Sequence, residues 1–277
     1  MPVDDGSAAQ IVGRLASRIG TYVTRYDNAR EPRAVFAYTY LRLTRGLEHA
    51  LAVGQPSFRD PFWVADLASS LASEYFAAMD EIDNSIPAKA SDRNSDGEAG
   101  ELPDVIPRPW RDVYAASAGG HSYVLEDVLF AMMAHISYDL PIALRRMSAR
   151  LDVRAHIADY HLMNDVLGSA IDEIQDDLAS RYCRGLADLD RLFTRQDELF
   201  TNYGIRVARG MAWFNFERLS DPLAAAAAER SIQASAGAFI AQVRAPDDWK
   251  LRIALQAARI LIPARRQWPA PDTGQQA

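Results

Sequence analysis

Apolar residues recur three and four apart along almost every segment of this chain, and no stretch shows the two-residue alternation of a half-buried strand. That period places one apolar face on each segment when it is helical and scatters it when it is extended. Ile11, Leu15, Ile19 and Val23 predict an amphipathic helix over about 7–27. Beyond Pro32, one face of 33–53 carries Phe36, Tyr40, Leu43, Leu47 and Leu51, with Gly54 as the stop. Asp60-Pro61 offers an N-cap followed by a first-position proline, opening a helix to about Asn84. Trp63, Leu67, Leu71, Tyr75 and Ile82 face its core side.

Further helices are expected from Pro107-Arg108-Pro109-Trp110 to about Ala118, from Ser122 to about Tyr138, and from Leu140 to about Leu151. Others follow over 153–182, over 187–219, from Asp221-Pro222 through the alanine run, and over about 247–262. Pro141 should kink or end its helix, because proline lacks a backbone donor and crowds the preceding turn. The expected fold class is all-α: one domain over 1–277 with a core at about 7–263, a bundle of eight to nine helices with a polar cluster between two central ones. Two segments break the pattern. Residues 85–108 are polar and rich in Pro, Gly, Ser and Asp, and read as a mobile loop that could close over a pocket. Residues 264–277 read as a disordered tail. Asp80, Glu81 and Asp83 sit at a helix C-terminus, where backbone partial charge disfavours acids, and are expected either to fray into solvent or to gather a cation.

Charge and cysteine content narrow the function classes. A net charge of -7 over 277 residues argues against a general nucleic-acid binder. A single cysteine allows no internal disulfide. The start, MPVDDGSAAQ, lacks the basic character of a secretory signal, and no apolar run approaches the ~20 residues of a membrane helix. The expectation is a cytoplasmic protein with a small-molecule substrate and neither nucleic-acid nor membrane partners; a homodimer is left open.

Candidate chemistry concentrates between Phe130 and Asp177, where three of the five histidines lie among carboxylates in otherwise apolar helix. Buried ionisable groups cost free energy unless paired or hydrogen-bonded. His135 and Asp139 are spaced i, i+4, so a helix presents them on one face, just before Pro141. His156 and Asp159 are spaced i, i+3, and Asn164 follows. Antiparallel packing of the two segments would bring His135, Asp139, Asp159 and Asn164 together, with Tyr138 and Tyr160 at the same level. Three uses of such a cluster compete. It could be a structural hydrogen-bond network. It could be a metal-free acid–base site, in which Asp139 orients His135 and a phenol donates to developing charge. It could be a metal site with His135, Asp139, His156 and Asp159 as ligands to zinc, iron, manganese or magnesium.

FAMMAHISYDLPIAL followed by ADYHLMNDVL resembles the signature of an uncharacterised, mainly actinobacterial family of unknown function with the core NAHINYDLPxAL. The start at Trp63, the P-R-P-W run at Pro107 and the R-G-M-A-W run at Arg209 extend the likeness from about Val35 to Pro263. The resemblance highlights His135, Tyr138, Asp139, Pro141, Asp159, Tyr160 and Asn164. Met133 and Ser137 stand where the family pattern has Asn, which implies an altered pocket if those amides line it. The family carries no assigned activity, so the likeness implies site residues and no reaction. NDVLGSAID also resembles the second magnesium motif of class I terpene synthases, through Asn164, Gly168 and Asp172, with DEIDN at Asp80 as a counterpart of their aspartate-rich motif.

Nucleotide-binding and common hydrolase motifs are absent from the sequence: no G-x-G-x-x-G, G-x-x-x-x-G-K, H-E-x-x-H or G-x-S-x-G. The leading expectation is therefore an enzyme needing no cofactor, performing acid–base cyclisation, isomerisation or dehydration of a largely apolar molecule in specialised metabolism. His135, Asp139, Tyr138, Asp159, Tyr160 and Asn164 are its catalytic and binding residues. A metal-dependent hydrolase, terpene-synthase-like diphosphate chemistry and a non-catalytic binding protein are the alternatives.

Overall fold

A computed structural model describes residues 6–86, 102–118, 122–183, 201–261 and 266–270. Its described residues form an all-α bundle with no strand beyond one isolated bridge between Cys183 and Arg266. Helix α1, Ala8–Ala29, opens with a capping box between Ser7 and Gln10 and closes with Arg30 in the left-handed conformation. The turn at 30–32 folds α2, Arg33–Val53, back along it. Helix α3, Pro61–Ser85, begins as expected at Asp60, whose side chain accepts the Trp63 N–H at 3.0 Å.

The centre of the bundle is a continuous helical run, Val124–Ser148. It comprises α5, Val124–Ala134, a π-helical turn over His135–Asp139, and α6, Leu140–Ser148. Helix α4, Arg108–Ala118, together with α2, α3, α9 (Asn202–Ser220) and α10 (Ala225–Arg244), packs around it. By length and composition this run could cross a membrane, yet most of its apolar part is buried against the other helices. The run does not end at Pro141; the disturbance expected there takes the form of the π turn, and regular α-helix resumes at Leu140, the expected start of the next helix. Leu140 donates its N–H to the His135 carbonyl five residues back, and the widened turn leaves the following proline, which has no N–H to give, in the first turn of α6.

The segment 153–182 is not one helix. A 3₁₀ turn at Val153–His156 leads into α7, Ile157–Ser169, and a break at Ala170 precedes α8, Ile171–Tyr182. Thr201 caps α9, so the expected helix start at 187 lies outside the described residues. The last helix, α11, is Trp249–Leu261.

Of the two alternatives for the acidic end of α3 the cation is the one found, and part of the tail expected to be disordered is held in place. Asp83 pairs with Arg25 and Arg33, and Asp80 lies 3.6 Å from Arg18, so arginines from α1 and α2 neutralise the acidic end of α3. The tail is ordered over 266–270. Arg266 pairs with buried Asp127, the Gln267 N–H reaches the Tyr182 carbonyl at 2.9 Å, and Trp268 packs on the core. Of the 85–108 loop, 87–101 lies outside the described residues, whereas Leu102 and Ile106 are buried.

Two apolar cores meet at the π turn. One is aromatic, built on Tyr22, Tyr26, Phe36, Tyr75 and Trp110. The other joins Leu47, Trp63, Leu144, Tyr160 and Phe216. Ile136 packs against both, so the residues of the π turn lie on the seam between them.

Candidate active site

Widening one turn of a helix turns side chains out of the regular register, and here it sets His135 and Asp139 against each other. His135 Nδ1 lies 2.9 Å from Asp139 Oδ2. The Trp110 indole N–H donates to the same carboxylate, at 3.1 Å to Oδ1 and 3.2 Å to Oδ2. Asp139 is 1% exposed and His135 5%, so both groups are removed from water. Burial raises the Asp139 carboxyl above the usual carboxylate range, while the hydrogen bonds from His135 and Trp110 oppose that rise. A carboxylate already accepting an indole N–H is matched by an Nδ1–H donor, which leaves Nε2 with the lone pair. Nε2 has no hydrogen-bond partner among the described residues. Four aromatic rings surround the imidazole: Tyr40, Phe36, Tyr75 and Trp110, at 4.6, 5.6, 5.9 and 6.4 Å between centroids.

His135 stands in the wall of a cavity of about 730 Å³, counted to its open mouth. Helices α1, α2, α3, α7 and α9 and the central run all contribute to that wall. Leucines 15, 43, 47, 71, 140 and 167 make it predominantly apolar. Its polar members are His135, Tyr40, Thr44 and Arg209. The Thr44 hydroxyl is committed to the Tyr40 carbonyl at 2.7 Å. The Tyr40 hydroxyl has no hydrogen-bond partner among the described residues. Burial, reinforced by the charge of Asp139, pushes its phenol far up, so it remains a proton donor.

The other expected site residues go elsewhere. Asp159 does not reach His135: its two oxygens accept the Arg59 and Asp60 N–H groups at 2.8 and 2.9 Å, fixing the turn that enters α3. A carboxylate at a helix start is a cap, favoured by the exposed donors and the dipole there. His156 stacks on Trp63 at 4.9 Å, with Nδ1 3.9 Å from Asp60. The proposed ligands His135, Asp139, His156 and Asp159 are thus divided between two places. Among the described residues, no group of three or more His, Cys, Asp and Glu side chains could hold a metal ion.

Tyr138 turns away from the cavity toward α10, where Gln233 donates to its hydroxyl at 3.3 Å. Tyr160 is buried and donates to the Arg209 carbonyl at 2.7 Å. Asn164 accepts from Arg209 Nε at 2.5 Å. Tyr160 and Asn164 therefore serve the site through Arg209, a cavity residue not among the expected ones. Its only sequence signal is the R-G-M-A-W run. Met133 and Ser137 are half-buried and are not part of the cavity wall.

The diphosphate-magnesium arrangement is also corrected. Asn164 and Gly168 belong to α7, but Asp172 follows the break at Ala170 and is exposed on α8. Asp80 and Asp83 are engaged by arginines.

No curated protein matches this chain, and no solved structure matches it. A family model does match, over residues 10–246, which takes in every helix that builds the cavity. The chain belongs to that family, a family of unknown function designated DUF5995.

Proposed function

We propose that this protein is a cytoplasmic enzyme that moves a proton on a largely apolar small molecule held in the central cavity. Cyclisation, isomerisation and dehydration are the reaction types this chemistry serves. The observation that carries the reading is the state of His135. Asp139 holds its Nδ1, while Nε2 is buried without a partner among the described residues, in a residue that forms the wall of an apolar cavity. A buried nitrogen left unsatisfied costs on the order of 1–3 kcal/mol. A substrate proton that Nε2 accepts removes that cost at the moment of reaction.

In this reading His135 Nε2 is the general base, and Asp139 is the positioning residue that fixes the tautomer and steadies the imidazolium formed. Tyr40 is the phenol that donates to oxygen charge developing on the substrate, in the part first assigned to Tyr138 and Tyr160. Trp110 keeps Asp139 an acceptor. The apolar wall excludes water, which strengthens each of these interactions. No cofactor is required.

The test is untargeted. Host-cell metabolites are incubated with the full chain, with His135→Ala and with Tyr40→Phe, and compounds that appear or disappear are followed by mass spectrometry. Conversion is expected with the wild type, none with His135→Ala, and a reduced rate with Tyr40→Phe. Equal conversion by wild type and His135→Ala would remove His135 from the mechanism. A compound that co-purifies unchanged with all three proteins would make the cavity a binding site without catalysis.

A further inference from the structure

Arg209 is a buried cation with no acid beside it among the described residues. It is 3% exposed, and no described carboxylate forms an ion pair with it. Its partners among the described residues are all neutral: the Asn164 side-chain carbonyl on Nε, the Tyr160 backbone carbonyl on Nη2 at 3.3 Å, the Met163 sulfur at 3.8 Å, and the Tyr160 ring at 4.4 Å from the guanidinium carbon. Nη1 makes no hydrogen bond among the described residues. Arginine does not discharge by losing its proton in the physiological range, so its charge stays in the apolar wall. Burying an unpaired charge is costly, and the fold accepts that cost at a residue that lines the same cavity as His135.

We infer that the ligand of this cavity is an aliphatic monocarboxylate, with its anionic head on the Arg209 guanidinium and its chain along the leucine-lined wall. The inference rests on the reading of the cavity as the substrate site. The Asn164 side-chain carbonyl and the Tyr160 backbone carbonyl hold Nε and Nη2 so that the plane of the guanidinium is fixed, and the Nη1 N–H groups remain for an incoming carboxylate oxygen. One guanidinium in an apolar surround balances one negative charge. A phosphate dianion would require a second cation, and the cavity wall holds no other arginine or lysine among the described residues. Arg209 is accordingly a binding residue, and Asn164 and Tyr160 position it.

Octanoate and 1-octanol, matched in chain length, are titrated calorimetrically into the full chain at about pH 8, where the acid is ionised. Octanoate is expected to bind at least about tenfold more tightly than the alcohol. Arg209→Met should abolish that preference with octanol affinity retained, and Arg209→Lys should restore part of it. Equal binding of the two probes, a preference that survives in Arg209→Met, or no octanoate binding at millimolar concentration would overturn the inference.

Should Arg209→Met fail to fold, octanoate labelled with ¹³C at the carboxyl answers in the wild type alone. A bound carboxyl that titrates below the free acid supports the pairing with Arg209, and one that titrates at or above it refutes it. His135→Gln should keep the full preference, which separates the two ideas. A chain that prefers octanoate but converts metabolites without His135 keeps the anion site and loses the acid–base reading. Equal binding with His135-dependent turnover does the reverse.

Discussion

Asp139→Asn removes one charge and almost no volume, and its consequences follow from three distances. In the wild type Oδ2 lies 2.9 Å from His135 Nδ1, and the Trp110 indole nitrogen lies 3.1 and 3.2 Å from the two oxygens. Indole can only donate, so the asparagine carbonyl keeps Trp110 and its NH₂ group turns to Nδ1. Nδ1 must then accept, and the ring proton moves to Nε2, the nitrogen assigned as base. A hydrogen bond to a charged group contributes about 1.5–3 kcal/mol. Against this, burial already disfavours the Asp139 carboxylate, and the neutral amide relieves that penalty.

The net stability loss is therefore expected to be about 1 kcal/mol, a fall of a few degrees in melting temperature. Losing a general base costs about 10²–10⁴ in rate. Two-bond ¹H–¹⁵N correlation spectra of labelled histidine report the tautomer without any substrate. The expected result is Nδ1–H in the wild type and Nε2–H in Asp139→Asn. A wild-type ring already protonated on Nε2, or a tautomer unchanged by the substitution, would refute the reasoning.

Trp110→Phe removes a donor from buried Asp139 and should cost about 1–3 kcal/mol in urea unfolding, with a smaller loss of turnover than Asp139→Asn. Arg266→Ala strips the partner from buried Asp127 and should cost about 3 kcal/mol or more; an unchanged midpoint would return 266–270 to a loose tail. Burial raises the Asp127 carboxyl to about 6, with Arg266 and Ser122 opposing the rise. The folded state therefore holds this proton more tightly than the unfolded chain, whose value is about 3.9. The contribution to stability is complete below about pH 4 and is lost as pH rises through about 6, up to about 3 kcal/mol across the window. Unfolding free energies of wild type and Asp127→Asn, measured from pH 4 to 7, should show a fall that is smaller in Asp127→Asn by that amount. His156→Ala should leave turnover intact and lower stability by about 1 kcal/mol through the lost Trp63 stack; a loss of activity together with a stoichiometric metal would revive the metal-centre reading.

The helical class, the caps at Asp60 and Gly54, and the pairing of His135 with Asp139 could all be read from the sequence. Each depends on residues close in the chain, where period, capping chemistry and i, i+4 spacing decide the outcome. The convergence of His135 with Asp159 could not be read. Asp159 sits near His156 in sequence, but the start of α3 offered two unpaired N–H groups that it satisfies from about a hundred residues away. The π turn was only half legible: Pro141 announced a disturbance, and its form, one widened turn, rests on the Leu140 N–H reaching the His135 carbonyl. Tyr40 and Arg209 come to the cavity from α2 and α9, Trp110 comes to Asp139 from α4, and none of the three shares a local pattern with His135. Arg209 in particular reads as one arginine among 28, of 30 basic residues with only Lys89 and Lys250 as lysines. Short-range periodicity determined that this chain is a helical bundle with an acid–base pair at its centre. Which distant side chains complete that pair was decided by long-range packing, since burial and the absence of a counter-ion are properties of the assembled interior.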